Sequence, residues 1–250
     1  MSAALHTRPD AQARPRPGGL ALEWCRLLVR ALVDAGVTDV VVSPGSRSTP
    51  LVLALAETAG LRMHALIDER VAGFFALGMA RASARTTALV CTSGTAGAHY
   101  FPAVIEAAAA QLPVLVLTAD RPPELQHCGA SQTIDQTRLF GVHVRACIDL
   151  GPPDAAPESL RALRRAVAQA VLATRWPTPG PVQVNVPARK PLEPGLEAAA
   201  GDLALAEVAL GIAAEPAPRA YAPRAVADQA GLAALAEACR AAQRGVIVAG

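Results

Sequence analysis

The chain is poor in lysine, aromatic residues and pairable cysteine. Of its 23 Lys and Arg residues only Lys190 is a lysine, and with so much alanine this fits genome base composition better than a functional bias. Aromatics make up 3% of the 250 residues, too few for platforms that stack nucleic-acid bases. The formal net charge of +2 provides no basic field for nucleic acid or an anionic membrane. Cys25, Cys91, Cys128, Cys147 and Cys239 are odd in number and widely spaced, with no C-x-x-C pair. A disulfide framework and a thiolate metal site are therefore both unsupported, and buried thiols in a reducing cytoplasm are the expectation. No apolar run reaches the length of a membrane span, and the N-terminus lacks the apolar core of a secretory signal. His64, His99, His127 and His143 show no metal spacing. The G-x-S-x-G, H-E-x-x-H, Walker A and G-x-G-x-x-G motifs are all absent.

What remains is rich: 52% of residues are hydrophobic, enough to build a substantial core. Short apolar runs alternate with helical periods. Residues 1–19 are polar and rich in Pro and Arg, and are expected to be a disordered tail. Leu20, Trp24, Leu27, Leu28, Ala31 and Leu32 share one helical face, and Gly36 fits a helix end. Strands are expected at Val37–Ser43, Arg62–Ile67, Thr86–Cys91, Leu112–Thr118, Val144–Leu150 and Pro181–Val186. Between them lie helices at Pro50–Ala59, Asp68–Ala82, Thr95–Ala110 and Glu158–Thr174, with a short one at Asp135–Phe140. Strands without polar alternation are buried on both faces, so the fold class is α/β, a doubly wound and mostly parallel sheet over residues 20–190. Residues 191–224, rich in Ala, Pro, Gly and Glu, read as a linker. Residues 225–250 read as a helix and a strand beginning a second α/β domain that this chain leaves incomplete.

In such sheets ligands bind beyond the carboxyl ends of the strands. Four polar turns fall on that edge: Ser43–Ser48, Asp68–Arg70, Thr92–Thr95 and Ala119–Pro123. A strand that breaks into a glycine turn and a helix start presents free N–H groups to an anion. Arg47 and Arg121, each in a strand-end loop, could together hold a substrate with two carboxylates. The plainer reading makes them surface arginines. Glu69, after an apolar strand and at a helix start, could share a proton with a ligand nitrogen, or could merely favour the positive helix end beside an Asp68 cap. Ser93 and Thr95 could donate to an anion or cap a helix. Ser131 and Gln132, in an irregular stretch, could bond a substrate or only their own loop.

The segments VVVSPGSRSTPL, IDERVAGFFALGMAR, VCTSGTAGAHYFPAVIEA, LTADRPPEL and CGASQTIDQ, in this order and spacing, resemble the pyrimidine-binding domain of the MenD family, thiamin-diphosphate synthases of menaquinone biosynthesis. SPGSRSTP with TADRPPEL carries the specific resemblance, whereas the DE and TSGT pattern alone would indicate only some thiamin-diphosphate enzyme. The resemblance implies a transferase that decarboxylates 2-oxoglutarate and adds the succinyl-semialdehyde carbanion equivalent to isochorismate. The product is 2-succinyl-5-enolpyruvyl-6-hydroxy-3-cyclohexene-1-carboxylate. It implies that Glu69 hydrogen-bonds the aminopyrimidine ring and favours the imino tautomer that takes the thiazolium C2 proton. It places Ser93 and Thr95 on the cofactor side. Ser46, Arg47, Arg121, Ser131 and Gln132 fall on the substrate side, Ser131 standing where some members have asparagine.

The resemblance also implies a cytoplasmic homo-oligomer with active sites between subunits. Thiamin diphosphate and Mg²⁺ would be held through a C-terminal domain whose Gly-Asp-Gly motif this chain does not contain. No residue here is assigned to the metal, and the chain alone is expected to be inactive. Two other readings stay open: half of a split synthase, active only with a partner chain, and a non-catalytic anion-binding or regulatory module. A mere binder has no use for a proton-sharing Glu69.

Overall fold

The computed structural model describes residues 19–194, 200–246 and 248. It divides into two units, one up to Ala220 and one from Tyr221. In the first unit the element order is α1 (Leu20–Asp34), β1 (Asp39–Val42), α2 (Thr49–Glu57), β2 (Arg62–Ala65), α3 (Glu69–Ser83), β3 (Thr87–Cys91), α4 (Phe101–Ala109), β4 (Val114–Asp120), β5 (Cys147–Asp149), α5 (Pro157–Ala173), β6 (Val182–Pro187) and α6 (Ala200–Ala214). The six strands form one sheet in the order β2-β1-β3-β4-β6-β5, and every neighbouring pair is parallel.

Every residue of β1, β3, β4 and β6 is buried, while the edge strands β2 and β5 are partly exposed. Successive side chains of a strand point to opposite faces, so each central strand feeds two cores. Val40 and Val42, Ala88 and Val90, and Leu115 and Leu117 join the core beneath α1, α2 and α5. Val41, Leu89, Cys91, Val114 and Val116 join the core beneath α3 and α4. Leu28 and Leu32 of α1 are within 1% of full burial. Each such leucine stabilises the fold by about 1.5–3 kcal/mol relative to an exposed one.

Two stretches differ from expectation. Within residues 191–224, read from composition as a linker, α6 is a helix packed on α1 and α5, with Ala209 and Ile212 buried. The side chain of Arg164, 2% exposed on α5, reaches it and donates to the carbonyls of Ile212 and Glu215 (3.0 Å to the latter), which satisfies part of the helix end. The short helix expected at Asp135–Phe140 is instead a series of turns leading to a 3₁₀ turn at Gly141–His143. Arg138 there has φ 54°, a left-handed conformation that no α-helix tolerates.

The second unit holds α7 (Gln229–Ala241), capped by the Asp228 side chain on the Gly231 N–H at 2.8 Å. The tail expected at residues 1–19 lies, apart from Gly19, outside the described residues; of the strand expected at residues 244–250, residues 244–246 and 248 are described and form no strand. Among the described residues no helix is long and apolar enough to cross a membrane.

Candidate active site

The parallel sheet brings the carboxyl ends of β1, β2, β3 and β4 to one edge, so the four polar turns become neighbours there. After β1 the chain runs through Ser43-Pro44-Gly45 into a 3₁₀ turn, Ser46–Ser48, which leads directly into α2. Ser48 Oγ donates to the Gly45 carbonyl at 2.9 Å and does not cap the helix. Gly45 is extended and unstrained, yet only glycine fits: a Cβ there would lie 2.4 Å from the Thr92 Cβ. The turns after β1 and β3 therefore interlock.

Arg47 follows Gly45 and is only 6% exposed. Its Nη1 donates to the Ala188 carbonyl at 2.7 Å, and among the described residues its Nε has no partner. Burial lowers its pKa from the usual arginine value, the Arg121 charge adds to that effect, and Asp120 opposes it. Arg121 comes from the end of β4, and its guanidinium donates to Ser93 Oγ in the turn after β3. Two cations are thus held near one another, one of them buried with a donor unspent. Such an arrangement suits a multiply charged anion.

Ser93 is fully buried and belongs to the turn that opens the 3₁₀ helix Gly94–Tyr100. Its hydroxyl accepts from Arg121 and makes no helix cap. Its backbone carbonyl accepts from Gln132 Nε2 at 3.0 Å. Gln132 holds φ 55°, an uncommon conformation for a non-glycine residue and a frequent mark of functional loops. Gly94, at φ +80°, passes so close that a Cβ would sit 2.9 Å from Gln132 Cγ.

Glu69 opens α3 immediately after the Asp68 cap, whose carboxylate accepts from the Arg70 N–H at 2.9 Å. The Arg70 guanidinium, bonded to Asp68 at 2.6 Å, holds the Asp68 carboxyl well below its usual range. Glu69 itself is half-buried, and among the described residues its carboxylate has no hydrogen-bond or ion-pair partner. Its charge bears on Cys91 and Tyr100 at the base of the turn after β3, both pushed up chiefly by burial. Beside it Ile67, Val71 and Phe74 are exposed, at 88%, 56% and 48%. An open recess of about 610 Å³ at the start of α3 is lined by Asp68, Arg70, Val71, Phe74 and Phe75. A half-buried carboxylate with no partner among the described residues keeps its acceptor capacity for a ligand N–H.

The family description "Thiamine pyrophosphate enzyme, N-terminal TPP binding domain" matches residues 23–139. A 2-succinyl-5-enolpyruvyl-6-hydroxy-3-cyclohexene-1-carboxylate synthase of Sorangium cellulosum is 49% identical over 91% of this chain and 37% of its own length. The synthase of the same name from Myxococcus xanthus is 50% identical over 91% of this chain and 38% of its own length. That of Halorubrum lacusprofundi is 55% identical over 68% and 28% respectively. The chain matches the N-terminal part of the MenD family. It spans 28–38% of the length of these relatives.

Within the MenD-type domain the expected site residues separate into two groups. Arg121, Ser93 and Gln132 are joined by hydrogen bonds, and Arg47 stands within the field of Arg121. Ser46, Thr95 and Ser131 are exposed at the same edge, and none of their side chains is bonded within the described residues. Among the described residues no group of three or more His, Cys, Asp or Glu is placed to hold a metal ion.

Sequence reasoning missed a buried polar layer beneath the site. Asn185 of β6 donates to Asp120 Oδ2 at 2.9 Å and to Asp149 Oδ2 at 3.0 Å, and accepts from Thr118 Oγ1 at 3.0 Å. Burial raises the Asp120 pKa, and Asn185, the Arg121 N–H and Gln126 pull it back. The signal was present in V-Q-V-N-V: a strand between apolar layers that carries Gln183 and Asn185 must find partners for both.

Proposed function

We propose that this chain is the pyrimidine-binding part of a thiamin-diphosphate-dependent synthase that decarboxylates 2-oxoglutarate and adds the succinyl-semialdehyde equivalent to isochorismate. The observation that carries the proposal is the pairing, on one sheet edge, of a buried Arg47 beside Arg121 with a Glu69 carboxylate, the Arg47 Nε and the carboxylate both having no partner among the described residues. The bound cofactor would supply an electron sink for the acyl carbanion equivalent. Glu69 would hold a proton at the aminopyrimidine ring, with Ser93 and Thr95 on the cofactor side. Arg47 and Arg121 would orient the carboxylates of isochorismate, aided by Ser46, Ser131 and Gln132.

Residues 20–190 form the pyrimidine-binding domain in this reading. The diphosphate and Mg²⁺ would be held by a separate domain, as the resemblance to the MenD family implies. The exposed Ile67, Val71 and Phe74 beside Glu69 favour a site completed by a second subunit in a cytoplasmic homo-oligomer. The test is consumption of isochorismate and 2-oxoglutarate by the protein isolated from its source cells. Equal consumption of both, dependent on added thiamin diphosphate, is expected. No loss of isochorismate under those conditions would overturn the proposal.

A further inference from the structure

Gln136 is none of the expected site residues, yet it is 1% exposed and its side chain makes three hydrogen bonds to the site's supports. Its Oε1 accepts from the Gly94 N–H at 2.7 Å. Its Nε2 donates to the Ala119 carbonyl at 3.1 Å and to Asn185 Oδ1 at 3.1 Å. Its backbone carbonyl accepts from Gln183 Nε2 at 2.8 Å, so β6 grips the residue at both its side chain and its backbone.

Two of the three atoms that this carboxamide joins, the Gly94 amide and the Ala119 carbonyl, lie beside bonded site residues, the third belongs to Asn185 of β6, and Gln136 itself is on the loop that carries Gln132. Gly94 follows Ser93, Ala119 lies two residues before Arg121, and Gln136 lies four residues after Gln132. Ser93, Arg121 and Gln132 meet through only two bonds of their own, from the Arg121 guanidinium to Ser93 Oγ and from Gln132 Nε2 to Ser93 O. Both arise from long side chains that could swing. The backbone segments beneath them are fixed relative to one another by Gln136. Only a carboxamide supplies one acceptor for Gly94 and two donors for Ala119 and Asn185 in a single plane; a carboxylate loses both donors and a thioether loses all three bonds.

We infer that Gln136 is a positioning residue that sets the distance between the turn after β3, which carries Ser93, and the end of β4, and so the spacing of Arg121 and Gln132, both bonded to Ser93, against the anionic substrate. This rests on the function proposed above. A purely structural role would lower stability alone, whereas a positioning role changes substrate affinity out of proportion to stability.

The experiment compares Gln136→Met with Thr86→Val in the protein from its source cells. Thr86→Val is the control, because it breaks a buried bond of 2.7 Å to Thr174 just before the start of β3, at the opposite edge of the sheet. KM for isochorismate, melting temperature and hydrogen exchange of the Gly94 amide are measured for each. Gln136→Met should raise KM and speed Gly94 exchange by about ten-fold each, the size of one lost hydrogen bond. Thr86→Val should lower the melting temperature without either change. A KM that rises no more in Gln136→Met than in Thr86→Val overturns the inference. The wild-type protein supplies a check that needs no variant: its Gly94 amide should be as protected as those of β3, and exchange at a free-loop rate also overturns the inference. If the wild type does not use isochorismate, the proposed function fails. The two exchange measurements then decide separately whether Gln136 holds the turn.

Discussion

Replacing Arg47 with methionine should separate a binding residue from a structural one. Methionine is nearly as long, fills the buried space and carries no charge. The variant loses the bond from Nη1 to the Ala188 carbonyl, a charge-assisted interaction of roughly 1.5–3 kcal/mol. It also removes the orphaned Nε, a burden of roughly 1–3 kcal/mol, and the repulsion from Arg121. The opposing effects leave the free protein within about 1 kcal/mol of wild type. An arginine that served as a strut in a buried ion pair would instead cost roughly 3–5 kcal/mol when removed. Isochorismate affinity should behave oppositely. Loss of two charge-assisted bonds to a carboxylate amounts to about 3 kcal/mol, or on the order of 100-fold in Kd. Urea unfolding gives the first quantity and titration calorimetry the second. A destabilisation above about 2 kcal/mol together with an unchanged Kd would refute the reasoning.

Three further outcomes follow from the geometry. Gly45→Ala should destabilise by roughly 1–3 kcal/mol, because its Cβ would meet Thr92 at 2.4 Å, and adding Thr92→Gly should recover part of the loss. Strict additivity in the urea-unfolding cycle would contradict the interlock. In the native protein Cys128 and Cys239 are exposed and should react promptly with a thiol reagent at pH 8. Cys25, pushed up to about 12 by burial, and the buried Cys91 should react only on unfolding; prompt reaction of either is the contrary result. Asp39 is buried, which alone would raise its pKa, but hydrogen bonds from Arg62 at 2.7–2.8 Å and from Thr38 hold it below the usual 3.8. A depressed carboxyl contributes stability above its unfolded pKa and loses it as pH falls through the folded value. Asp39→Asn should therefore cost about 1–2 kcal/mol at pH 7 and progressively less below pH 3.8 in denaturation curves. An equal cost at pH 7 and pH 2.5 would deny the pairing its role.

The sheet was legible because its strands are short, apolar and without alternation, a pattern that only burial on both faces explains. Val40–Val42 and Leu115–Leu117 announce this directly, and the turns after them fall on the ligand edge by topology alone. The Asp68 cap was legible from its place before a helical run. The helix α6 was not, because AGDLALAEVALGIAA has no polar face to reveal a period, and the prolines around it suggested an extended linker. The loop from Glu124 to His143 was legible as irregular but not in detail. Its course depends on left-handed residues at His127, Gln132 and Arg138 and on the buried side chain of Gln136. Gln132 and Gln136 are fixed by partners far away in sequence, Ser93 and Gly94 among them. The burial of Arg47 was equally hidden, since an arginine in a polar turn reads as solvated until Ala188 and Arg121 are brought beside it.

The central claim is that Glu69 holds a proton at the cofactor while the arginine edge binds the acid. It is tested most directly by comparing turnover in protein isolated from source cells carrying Glu69 with turnover in protein carrying Glu69→Gln. The measurement is the rate of isochorismate consumption with 2-oxoglutarate and thiamin diphosphate present, alongside the Kd for isochorismate. The account predicts a loss of at least roughly 100-fold in rate, within the span of a missing acid–base group, with Kd changed less than about three-fold. A rate near that of the wild type, or a loss explained wholly by weaker isochorismate binding, would contradict it.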